Sequence, residues 1–155
     1  MQAIKHADRE IVITRAFGAP RERVFEALTT PEQIRAWLHS PSAKMDLLTC
    51  EVTPQAGGTY RYVFRRANGA TIEVHGTYEE VVPPHRLVAN ESYNFSPLHV
   101  RTATVLEPQS NGTAMTITLR YASQEERDAD FEGVAASAGE AYARLDRYCA
   151  NWRNT

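Results

Sequence analysis

Long apolar runs are missing from this chain. No stretch approaches the ~20 residues that a membrane-spanning helix requires. The opening MQAIKHADRE lacks the apolar core of a secretion signal. Cysteine is scarce: Cys50 and Cys149 stand alone, without the spacing of a metal site. With no export signal they read as free thiols rather than a disulfide. An excess of either charge is also missing. Against 17 Lys and Arg stand 19 Asp and Glu, for a net charge of -2, and no basic cluster marks a nucleic-acid or anionic-membrane surface. There is no phosphate loop, nucleophile elbow or dinucleotide fingerprint, and Gly57-Gly58 precedes a strand pattern rather than a helix. His6, His39, His75, His85 and His99 are scattered, with no two at helical ligand spacing, so no metal is expected. No repeat or linker interrupts the 155 residues. These absences leave one cytoplasmic domain, residues 1–155, with no cofactor, no nucleic-acid partner and no membrane span.

What is present is strongly patterned. From Ser123 to Trp152 apolar residues recur at steps of three and four: Phe131, Val134, Ala135, Ala138, Tyr142, Leu145, Cys149 and Trp152. This spacing predicts one long helix with a single apolar stripe. Ser123 followed by Glu126 is a capping-box signature. Glu125, Glu126, Asp128 and Asp130 at the start, with Arg144, Arg147 and Arg153 towards the end, suit the helix dipole. The middle of the stripe is small, with Ala135 and Ala138 close to Gly133 and Gly139. Two readings follow: close packing of helix on sheet, or a cavity beneath the small residues.

Ahead of this helix the pattern is strand and turn. Glu10 to Phe17 alternates, with Ile11, Ile13 and Arg15 on one side. Two short helices follow, one opened by Pro20 at its first position and carrying Val24, Phe25 and Leu28. Thr30 caps the other, which starts at Pro31, carries Ile34, Trp37 and Leu38, and stops at Ser40-Pro41-Ser42. Further strands are expected at Met45–Thr53, Thr59–Arg66, Thr71–Val82, Arg86–Phe95, Val100–Leu106 and Thr113–Tyr121, with tight turns at Asn68-Gly69 and Asn111-Gly112. The hairpin links make the sheet antiparallel, and the last helix is the element available to cover it. The expected fold is α+β: a curved antiparallel sheet of about seven strands around a long C-terminal helix, with two short helices after the first strand.

Several segments in this order carry a resemblance. They are ITRAFGAPRERVFEALTTPEQIRAWL, GGTYRYVFR, HGTYEEVVPPHRLVANESY, GTAMTITLRY and the SQEERD start of the last helix. Together they resemble the SRPBCC (START-like) superfamily and, within it, bacterial proteins similar to the C-terminal domain of the activator of heat-shock protein 90 ATPase. That resemblance implies a helix-grip fold with a cavity between sheet and helix that holds a hydrophobic or amphipathic small molecule. It also admits a chaperone as partner, with the chain acting as an ATPase-activating module, and a homodimer. Fold does not decide among these.

The candidate lining residues are Trp37, Tyr60, Tyr62, Tyr78, Glu91, Tyr93, Thr102, Thr104, Ala138 and Tyr142. Each tyrosine has ordinary core packing as its alternative. Glu91 shares alternation with Leu87, Ala89 and Tyr93, and a simple hairpin through Pro83-Pro84 sets it near Tyr78. Either it points into the cavity, where burial is costly unless it is paired or protonated, or it sits exposed beside Asn90 and Ser92. No residue is assigned a catalytic role. A cyclase- or hydrolase-like enzyme using Glu91 and a cavity tyrosine as acid and base is kept as an alternative to a binding protein.

Overall fold

A computed structural model of the chain describes residues 1–38 and 44–151. The expected stop at Ser40-Pro41-Ser42, and Trp152 and Arg153 at the chain's end, lie outside the described residues. The elements are β1 (Gln2–His6), β2 (Glu10–Phe17), α1 (Arg21–Thr29), α2 (Pro31–Leu38), β3 (Met45–Val52), β4 (Thr59–Arg66), β5 (Thr71–Val82), β6 (Arg86–Tyr93), β7 (His99–Gln109), β8 (Gly112–Arg120) and α3 (Gln124–Asn151). The strands form one antiparallel sheet of eight, in the order β1-β2-β8-β7-β6-β5-β4-β3. It curves around α3, with register shifts at Leu47/Thr49 and Tyr78/Glu80.

The alternation reads through to packing. Ile11, Ile13 and Phe17 of β2 are buried, as are Leu106 of β7 and Met115 and Ile117 of β8. Against them lie Val24, Phe25 and Ala27 of α1 and Leu145 and Cys149 of α3. Burying a side chain such as Leu145 contributes about 1.5–3 kcal/mol. Arg15, the odd member of the inward face of β2, donates from Nη2 to Asp146 Oδ2 of α3 at 3.3 Å.

Four local expectations are corrected. β1 was not expected, because an edge strand with mostly exposed side chains carries little alternation; its backbone pairing with β2 makes it a strand. Pro20 precedes α1 as its N-cap rather than occupying the first helical position. The β4–β5 turn spans residues 67–70, with Gly69 (φ 87°) as its one positive-φ residue and the Asn68 side chain accepting from the Ala70 N–H. The β7–β8 turn centres on Ser110-Asn111, one residue earlier than expected, since Gln109 pairs with Gly112.

Ser123 caps α3: its Oγ accepts from the Glu126 N–H at 3.1 Å. The return arm of the capping box is absent among the described residues, where Glu126 Oε2 is buried without a partner. The last described turn of α3 holds no basic residue, so the basic half of the dipole argument fails there. Arg144 is instead used in packing, donating to the Trp37 carbonyl at 2.9 Å.

Sequence pattern did not single out Arg127. It is 3% exposed, and its Nη1 donates to the carbonyls of Ala7 and Glu10 at 3.2 and 2.8 Å while Nε donates to Asp128 at 2.7 Å. It fastens the start of α3 to the β1–β2 turn.

Candidate functional site

The site begins with one cross-strand row. Tyr60 on β4 pairs with Gly76 on β5, which pairs with Glu91 on β6. Gly76 leaves its place in the row empty, and the Tyr60 ring fills it. A Cβ at Gly76 would overlap Cζ, Oη and Cε1 of Tyr60. Tyr60 can therefore lie across the middle strand and donate its hydroxyl to Glu91 Oε1 at 2.7 Å. Two residues along β6, and so on the same face, Tyr93 donates to Oε2 at 2.6 Å. Each oxygen of the Glu91 carboxylate thus accepts from one phenol.

The register corrects the sequence expectation for Glu91. It stands opposite Gly76, while Tyr78 is opposite Ala89. The irregularity between Tyr78 and Glu80 moves the strand relative to a simple hairpin. Glu91 is half-buried and is held by the hydroxyls of Tyr60 and Tyr93. His75, one residue before Gly76, is exposed on the other face.

Aromatic side chains surround this carboxylate. The Tyr60 ring lies 5.4 Å from that of Tyr62 and 5.2 Å from that of Tyr78. From the helical side, Tyr142 of α3 stands 6.5 Å from the Trp37 ring of α2. The Trp37 indole is buried and donates to the Ala27 carbonyl at 2.8 Å. Thr102 and Thr104 of β7 share the inward face, opposite Ala89 and Leu87 of β6. Ala138, one turn before Tyr142 on α3, is half-buried.

Burial raises the Glu91 pKa above the ordinary carboxylate range, and the hydroxyls of Tyr93 and Tyr60 oppose that shift. The pKa values of Tyr60, Tyr62, Tyr78, Tyr93 and Tyr142 are all pushed up, first by burial and then by neighbouring groups that include Glu91. Glu91 acts on Tyr142, so the helix and the sheet present these groups to a common region. The basic group acting on Glu91 is the exposed His75, and no Lys or Arg pairs with Glu91 among the described residues.

Two further observations describe this region. The stripe of α3 is buried unevenly: Leu145 and Cys149 are 0% and 1% exposed, whereas Phe131, Val134, Ala135, Ala138 and Tyr142 are only half-buried. No atom outside the helix backbone lies within 4 Å of where a Gly133 Cβ would stand, and Gly139 would meet only Met1. The glycines therefore do not mark close helix–sheet packing. The hydroxyls of Tyr62, Tyr78 and Tyr142 have no hydrogen-bond partner among the described residues, yet none is sealed from solvent-sized contact. Glu91 also lines an open groove of about 390 Å³, together with Asn90, Val100, Arg101, Tyr121, Arg9 and Arg120.

Among the described residues no three His, Cys, Asp or Glu side chains are grouped to hold a metal ion. No described helix is long and apolar enough to cross a membrane. Both cysteines are buried free thiols, and burial pushes the Cys149 thiol up to about 11.

A curved antiparallel sheet gripping a long C-terminal helix, with two short helices after β2, defines a helix-grip protein of the START-like class. The chain belongs to the family described as Activator of Hsp90 ATPase homolog 1-like protein, whose family model matches residues 18–150. Among solved structures, a protein from Rhodobacter sphaeroides is similar over 97% of this chain and 98% of its own, at 30% identity and a TM-score of 0.90. A Chromobacterium violaceum protein is similar at 25% identity and TM-score 0.76, over 90% of this chain and 96% of its own. A Nitrosomonas europaea protein shares the fold at 20% identity and TM-score 0.81, over 92% and 95%. A comparison with curated proteins finds no match.

Proposed function

We propose that this protein binds a small hydrophobic or amphipathic molecule in a cavity between the sheet and α3. The observation that carries the reading is the state of the polar groups there. Buried hydroxyls ordinarily find partners. Those of Tyr62, Tyr78 and Tyr142 have none among the described residues, and they keep contact with open space near the half-buried Glu91. Apolar walls with a few directed polar groups are what small-molecule pockets use. The half-buried middle of the α3 stripe supplies the apolar wall, with Trp37, Thr102 and Thr104 at its margins.

The test is Ala138→Trp. If open space lies beneath Ala138, the indole enters it with little change in the melting temperature, and binding of an environment-sensitive apolar dye disappears. Against tight packing, the same change would cost about 1–3 kcal/mol. A strongly destabilised variant, together with a wild type that never binds the dye, would sink the cavity. Native mass spectrometry of the purified protein checks the reading independently, through a co-purified small molecule.

The family description favours a second reading, in which the chain is an interaction module that stimulates a chaperone ATPase. Its test is the ATPase rate of a bacterial chaperone of that class with and without this protein. An unchanged rate and no retention in a pull-down would remove it.

A further inference from the structure

The half-buried Glu91 carboxylate lacks something that charges withdrawn from water ordinarily have. Carboxylates far from water are normally matched by an arginine, a lysine or a metal. Glu91 is held by two neutral phenols, at 2.7 and 2.6 Å, and no Lys or Arg reaches it among the described residues. The phenols fix both oxygens in place but supply no positive charge. A carboxylate oxygen has two lone-pair sites, so each retains one after accepting from its tyrosine.

The aromatic wall beside Glu91 is electron-rich, while Arg9, Arg101 and Arg120 line the open groove that Glu91 also reaches. The hydroxyls of Tyr62, Tyr78 and Tyr142 carry free lone pairs, and the Tyr60 ring lies 5.4 Å from that of Tyr62 and 5.2 Å from that of Tyr78. Aromatic faces attract cations, most strongly where water is excluded. Carboxylate, phenol oxygens and ring faces all favour positive charge, and all disfavour an anionic headgroup.

We propose that the ligand of this site carries an aliphatic ammonium group on an apolar body, and that the ammonium is the missing counter-ion of Glu91. This rests on the cavity reading and narrows it to a chemical class: amphipathic amines, in preference to alcohols and fatty acids of the same length. The ammonium donates to the free lone pairs of Glu91 and to the phenol oxygens, while the alkyl body lies along the half-buried stripe of α3. Tyr60 and Tyr93 position the carboxylate, and Gly76 positions Tyr60.

The test compares three probes with one chain length and three headgroups: n-decylamine, 1-decanol and decanoate. Each is measured below its aggregation threshold at pH 7.5, by calorimetry and by displacement of an apolar dye. The amine is expected to bind at least ten-fold more tightly than the alcohol, and decanoate most weakly. In Glu91→Gln, which keeps the shape and an acceptor oxygen, the amine's advantage should shrink to about two-fold or less. A far-ultraviolet melt verifies that this variant is folded. Decanoate binding as tightly as the amine, or a Glu91→Gln protein that keeps the ten-fold preference, would overturn the ammonium assignment and leave the cavity standing. Failure of all three probes to bind the wild type would overturn both.

Discussion

At Gly76 a single methyl group decides the geometry of the site. A Cβ there occupies the volume of the Tyr60 ring. Gly76→Ala should therefore force Tyr60 off Glu91 and cost about 1–3 kcal/mol through overpacking. In a double-mutant cycle with Tyr60→Val, which clears the ring, the two costs should be clearly less than additive. Additive costs would show that the ring does not rest on Gly76. Glu91 gives a prediction in pH. Its folded-state pKa is raised by burial, so the fold binds this proton more tightly than the unfolded chain does. The stability it contributes is full below the unfolded value of about 4.3 and is lost as pH rises through the folded value. Glu91→Gln removes that dependence, so the melting temperature of the variant relative to wild type should climb from pH 4 to pH 7.5. A difference that is flat or falls with pH would mean that the carboxylate is ionised in the fold as readily as in the open chain.

At the scale of elements, α3 depends on its first turn. Ser123 satisfies the Glu126 N–H at 3.1 Å, so Ser123→Ala should lower stability by about 1 kcal/mol, read in a denaturant titration. An unchanged midpoint would place the helix start elsewhere. Arg127 makes the stronger joint, because its buried guanidinium serves the carbonyls of Ala7 and Glu10 together. Arg127→Met leaves those acceptors without their donor and should cost about 3 kcal/mol, judging by the worth of hydrogen bonds to charged groups. A loss under 1 kcal/mol would show that water replaces the side chain. The two residues differed in legibility. Ser123 could be read because a cap is a local pattern. Arg127 could not, since its partners lie about 120 residues away in the β1–β2 region and an arginine inside an acidic helix start looks like a surface residue.

At the scale of the whole molecule, stability is unevenly distributed. β2, β7 and β8 pack with α1 and the second half of α3, while the first half of α3 is only half-buried. Hydrogen exchange should therefore be slowest in β2, β8 and around Leu145–Cys149, and faster around Phe131–Ala138. Uniform protection along α3 would contradict the uneven packing. The sequence by itself determined the order of the elements from β2 to α3, the alternation of their strands and the stripe of α3, because each is written in the spacing of neighbouring residues. It put Tyr60, Tyr62 and Tyr93 on faces that could line a cavity for the same reason, and left Glu91 open between an inward and an exposed position. Only the tertiary structure decided that Tyr60 rather than Tyr78 meets Glu91. That contact depends on the register among three strands, which the irregularity after Tyr78 resets and which the missing side chain of Gly76 makes passable. It also decided that β1 is a strand and that Arg127 is buried. Both follow from partners far away in the chain, which no local pattern records.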